Sequence, residues 1–172
     1  QSSEKEKFDG VMLDIEPYIS DSWKENPEEY MDRYISCMKK GYKFAQKNHL
    51  RTAICIPRHY DNQGLTSGLE ELIKETCDEV AVMNYSCGNE IEAIRTEAAL
   101  SEKYGKELHC ILEFQEVGKH GLTENKTYRN KGIDNAKETW EKLQKEYKNI
   151  NVTRDYHWSR PVREMLEEKN AD

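Results

Sequence analysis

Five apolar runs, each followed by a stretch with helical spacing, constrain this chain more than anything else in it. They cover residues 8–18, 52–57, 78–86, 107–115 and 150–158. Each reads as a strand and each intervening stretch as a helix, so the order is βαβαβαβαβα. Parallel neighbours need a return connection of a dozen or more residues, usually a helix. The alternation therefore predicts an α/β fold with a parallel sheet and right-handed crossovers. No GxGxxG or Walker sequence follows any of the runs. Nucleotide or dinucleotide binding through such loops is unsupported.

The first helix is predicted over 26–48. Asn26 caps it, Pro27 takes its first position, and Glu28 with Glu29 suits its positive end. Its apolar stripe reads as Tyr30, Tyr34, Cys37, Met38, Gly41, Phe44 and Ala45. Trp23 falls in a loop before it. Further helices are predicted over 69–74, 90–104, 128–147 and 162–168, with Gly105 as a C-terminal stop.

Chemistry-bearing residues gather where the strands end: Asp14, Glu16 and Tyr18; Arg58, His59 and Tyr60; Asn84 and Tyr85; Glu113 and Gln115; Tyr156, His157 and Trp158. A TIM barrel builds its active site at that end. The opening strand carries the most pointed pattern. Val11, Leu13 and Ile15 alternate with Met12, Asp14 and Glu16, so a period of two puts the second set on one face. Pro17 cannot donate to a ladder and ends the strand. The pattern reads as a buried strand delivering carboxylates to a site. The other reading is an edge strand with one wet face.

Asp9-Gly10-x-Met12-x-Asp14-x-Glu16 resembles the DGxDxDxE signature of family 18 glycoside hydrolases, the chitinases and their kin. Met83-Asn84-Tyr85-Ser86 resembles that family's MxYD, two strands later, and Trp158 stands where members often carry a Trp. Met12 and Ser86 depart from the pattern, and each removes a negative charge that would shift neighbouring pKa values. The resemblance implies a TIM barrel of which this chain holds strands four to eight. It implies Glu16 as catalytic acid, Asp14 and Tyr85 as holders of a substrate acetamido group, and Trp158 as a stacking floor. Tyr18, Asn84, Arg58, Glu113 and His157 are further candidates for substrate contact. The resemblance is compatible with a place outside the cell or at its surface, and the residues themselves leave the localisation unknown.

Five strands do not close a barrel of eight. An upstream segment or a second copy is expected to complete it and to cover an inner face bearing Ala53, Cys55, Met83 and Ile111. The domain layout is a leader at 1–7, β/α units over 8–160, and a C-terminal helix and tail over 161–172.

Structural readings stand beside the functional ones. In these, Glu16 pairs with Arg58 or Arg154, Asp14 is held by neighbouring strands, and Tyr85, and Trp158 with Tyr156, simply pack. Two other functions remain open. Glu16, His59, Glu113 and His157 would suit a metal-dependent hydrolase, although no HxH or HExxH pairing occurs. A barrel that binds glycans without cleaving them is the other.

Composition narrows the classes. The chain has 172 residues with 26 Lys+Arg against 33 Asp+Glu, net −7. That is no nucleic-acid footprint, which needs a clustered basic face. No apolar run approaches the roughly 20 residues of a membrane span. The 5 cysteines are an odd count without CxxC spacing, and Cys55 and Cys110 read as buried thiols. No signal peptide is visible, and the chain opens with Gln1. It reads as a fragment or a processed form. The chemistry expected needs no cofactor.

Overall fold

The structure is a computed structural model that describes residues 6–171. Most of the expected leader, and Asp172, fall outside the described residues. Strands β1 (Gly10–Asp14), β2 (Arg51–Pro57), β3 (Glu79–Met83), β4 (Glu107–Glu113) and β5 (Val152–His157) form one sheet in chain order. All neighbours are parallel. Helices α1 (Asp21–Glu25), α2 (Pro27–Lys47), α3 (Thr66–Thr76), α4 (Arg95–Tyr104) and α5 (Ile133–Glu146) connect them, and α6 (Ser159–Ala171) follows β5. A doubly wound sheet reverses its strand order at a switch point. This sheet does not.

The register explains the core. Leu13, Ile54, Val80, Leu108 and Val152 are Cα partners in one row across the sheet. They face Met31, Ile35 and Met38 of α2, Leu69 and Leu72 of α3, and Ala136, Trp140 and Leu143 of α5 in one apolar cluster. Each fully buried Leu or Ile contributes roughly 1.5–3 kcal/mol of transfer free energy. Trp140 also donates its Nε1 hydrogen to the Cys110 carbonyl at 2.9 Å, so its one polar atom is satisfied.

Three local readings are corrected by packing. Among the described residues β1 is an edge strand, paired only with β2, so Val11, and Ile15 just after the strand, stay 37% and 45% exposed. The α2 stripe is turned: Met31, Tyr34, Ile35, Met38 and Ala45 are buried, while Cys37 and Phe44 face outward. That set follows the helical i, i+3, i+4, i+7 rule better than the predicted one. The loop holding Trp23 contains α1, whose N-cap Ser20 accepts from the Trp23 N–H and buries the indole.

The second face of the sheet carries Asp14, Cys55, Ala81, His109 and Thr153 in one row. Ala53, Cys55 and Ile111, expected on an uncovered inner face, are buried, and Met83 is half-buried. Met83 and Tyr85 pack over Cys55, Ala81 and Ile111 and shield them. At the amino ends of the strands this face is polar. Arg51 donates to Glu79 at 2.6 Å and to Glu107 at 3.0 Å, and His109 bridges Glu79 and Asp155 at 2.8 and 3.0 Å. No helix among the described residues is long and apolar enough to cross a membrane.

Candidate active site

A cavity of about 1140 Å³ opens over the second face at the carboxyl ends of the strands. Asp14, Glu16, Tyr18, Tyr85, Glu113 and His157 all line it. Local chain geometry delivers each one. Gly10 lets β1 lie close to β2, because a Cβ there would sit 2.7 Å from the Arg51 carbonyl oxygen. Pro17 opens a 3-10 turn, Pro17–Ile19, just after Glu16. That turn brings Tyr18 back, and its hydroxyl donates to Glu16 Oε1 at 2.7 Å. The Tyr18 ring rests edge-on against His59 and Tyr60, with centroids 5.2 and 6.1 Å away.

Glu113 is the most enclosed acid of the site, only 2% exposed. Its Oε1 accepts from the backbone N–H groups of Phe114 and Gln115, each at 2.8 Å. Its Oε2 accepts from the Gln115 side-chain amide at 3.2 Å and pairs with His157 Nδ1 at 2.8 Å. Burial alone would raise this carboxyl, but the bonds from His157 and the backbone outweigh it and hold the pKa below the ordinary range. In return Glu113 raises His157, against partial burial. The ring thus has one nitrogen fixed on Glu113, which favours its protonated form, and its other edge is free of that bond. The Tyr85 ring lies 5.8 Å from it.

The other groups are shifted by the same field. Asp14 is raised by partial burial and then by the charge on Glu16, with His157 opposing. Tyr85 is raised by burial and by Glu113, Asp14 and Glu16, so it keeps its proton as a donor. Tyr18 is raised by burial and by its bond to Glu16.

Three candidates are not brought to this cavity. Asn84 is buried on the helix side, where its amide donates to the Glu90 carbonyl at 2.9 Å. Arg58 lies past β2 and does not line the cavity. Trp158 lines a separate, smaller cleft with Arg129 and Arg160. Tyr156 reaches the cavity rim, but its ring stacks on Phe114 and lies tilted against Trp140, with centroids 5.4 and 4.8 Å away. Among the described residues, no ion pair joins Glu16 to Arg58 or Arg154, and its carboxylate accepts from the Tyr18 hydroxyl.

The metal set Glu16, His59, Glu113 and His157 does not assemble. Among the described residues, the His/carboxylate group with ligand atoms within 4.8 Å of one another is Glu79, Glu107 and His109. Arg51 already bonds both of those glutamates, and both His109 nitrogens are engaged. We read it as an ion-pair network at the sheet's amino end.

Sequence reasoning missed Lys126, His120, Arg163 and Asp155, which also line the cavity. Only the long polar connection between β4 and α5 hinted at the first two, since loops carry function on a rigid scaffold. No family model, no curated protein and no solved structure matches this chain.

Proposed function

We propose that this chain is the C-terminal part of a glycoside hydrolase-like TIM barrel whose cavity takes a glycan containing a 2-acetamido sugar. The observation that carries the reading is that Asp14, Glu16, Tyr18 and Tyr85 line one cavity at the carboxyl ends of parallel strands. Strands from an upstream segment or a second copy join at the free edges of β1 and β5.

In this reading Glu16 protonates the glycosidic oxygen. Tyr18 occupies Oε1 and fixes the carboxyl, leaving Oε2 for the substrate. The acetamido carbonyl oxygen attacks the sugar carbon as the leaving group departs, which is the substrate-assisted exception to the two-carboxylate scheme. Asp14 accepts from the acetamido N–H and Tyr85 donates to its oxygen. Water then opens the cyclic intermediate, giving its proton to the Glu16 carboxylate, so the acid is restored.

The test is release of a chromophore from N-acetylglucosaminide oligomers. Glu16→Gln should cost roughly 10²–10⁴ in rate with the fold intact, as loss of a general acid does. Asp14→Asn should cost rate chiefly on N-acetylated substrates. Activity abolished by a chelator would replace this reading with a metal-dependent hydrolase. No turnover, but saturable glycan binding that survives Glu16→Gln, would replace it with a binding barrel, which the departures at Met12 and Ser86 favour.

A further inference from the structure

We infer that the glycan this cavity takes is anionic, bearing a carboxylate, sulfate or phosphate; the inference rests on the reading above. The cavity carries charges of both signs. Asp14 and Glu16 come from β1 and the turn after it. His157 of β5, Arg163 of α6 and Lys126 of the β4–α5 connection also line it, as does Arg154, which stands in the helix-side row of Cys110 and borders the cavity from the edge strand β5.

Three of these cations stand out because their neighbours are neutralised. Lys119 pairs with Glu116 at 2.9 Å, Arg129 with Glu168 at 2.7 Å, and Arg160 with Glu164 at 3.0 Å. Among the described residues, Lys126, Arg154 and Arg163 have no carboxylate partner. These three border one cavity together. Cations lining a cleft focus the field and raise the local concentration of an anion. Arg adds a planar fork that matches carboxylate, sulfate or phosphate. His157 is paired with Glu113 at 2.8 Å and offers its other ring nitrogen as a hydrogen-bonding edge, not as a further unpaired charge. Stacking offers less here, since Trp158 lines a different cleft and the Tyr156 ring is taken up by Phe114 and Trp140.

The experiment is calorimetry of the protein with three β-1,4-linked N-acetylglucosamine tetramers: unmodified, 6-O-sulfated, and carrying 3-O-lactyl carboxylates. At least one anionic tetramer should bind about tenfold or more tighter than the neutral one, and the gain should shrink between roughly 50 and 300 mM salt. The two anionic tetramers separate sulfate from carboxylate recognition. The combined Lys126→Gln, Arg154→Gln and Arg163→Gln variant should lose the preference for the anionic tetramers over the neutral one. Equal binding of all three tetramers overturns the inference and leaves the glycan reading standing. A preference that survives the triple variant overturns the assignment to these cations. Binding of none, by protein with a native circular dichroism spectrum, overturns the glycan reading and this inference with it.

Discussion

Glu113→Gln tests whether one buried carboxylate organises the site. The wild-type side chain accepts from Phe114 N and Gln115 N at 2.8 Å, from Gln115 Nε2 at 3.2 Å, and from His157 Nδ1 at 2.8 Å. Gln keeps the shape, and its carbonyl still serves the two backbone donors. Its amide faces Gln115 and His157. Both can relax: the Gln115 amide can flip, and His157 can lose its proton and accept. What disappears is charge assistance, and hydrogen bonds to an ion are roughly twice as strong as neutral ones. At roughly 0.5 kcal/mol for each of the three bonds from Phe114 and Gln115, and less for the one from His157 because that side chain is 46% exposed, the loss is about 1.5–2 kcal/mol. For a chain of this size that lowers Tm by roughly 3–8 °C. The pH dependence carries the sign. His157 is raised in the folded state, so its contribution is complete below the unfolded value near 6.5 and fades as pH climbs through the folded value. Glu113 is lowered, so it stays ionised across that window. The gap between wild type and variant should therefore be wider at pH 6 than at pH 9. Urea unfolding at both pH values measures it, and NMR titration of the His157 ring should show its pKa falling in the variant. A gap under about 0.5 kcal/mol at pH 6, a wider gap at pH 9, or an unmoved His157 would refute the reasoning.

Two further outcomes are expected elsewhere in the fold. Glu97 in α4 is fully buried, and among the described residues neither carboxylate oxygen has a partner beyond the residue's own backbone N–H; burial pushes it up to about 7. A raised carboxyl makes the folded state prefer the proton, so stability falls as pH rises from about 4.5 through about 7, by on the order of 3 kcal/mol in all. Glu97→Gln should then be the more stable protein at pH 8 and nearly neutral at pH 5; equal urea midpoints at pH 8 would count against it. In α3, a Cβ on Gly68 would lie 2.6 Å from Met31 Cγ, and Met31 is 1% exposed. Gly68→Ala gains about 1 kcal/mol of helix propensity but overpacks the α2–α3 contact at roughly 1–3 kcal/mol, so Tm should fall. A rise in Tm would mean that the two helices are not in close contact.

Most of the fold was legible in the chain, because period and punctuation are local. The apolar runs, the Asn26-Pro27 start of α2 and the Gly105 stop of α4 all lie where residue order predicts them. The site was legible only where chemistry follows strand parity. Asp14 and Glu16 share a face by alternation, and Tyr85 and Glu113 extend β3 and β4 onto it. Asn84 and Trp158 were misread because a strand-end position does not say which face a side chain takes. Asn84 follows the parity of Val82 to the helix side, and Trp158 leaves the sheet beyond β5.

By itself, then, the sequence determined the alternation of strands and helices, the parallel sense of the sheet, and the face that holds Asp14 and Glu16. Each is a consequence of spacing within a single element. Tertiary structure decided that β1 lies at an edge, that Met31 rather than Phe44 meets the core, and that Glu113 closes on His157 across two strands. It also decided that Arg51, far from both in sequence, neutralises Glu79 and Glu107. These depend on which segments meet in space, and an element's own periodicity carries no information about its neighbours.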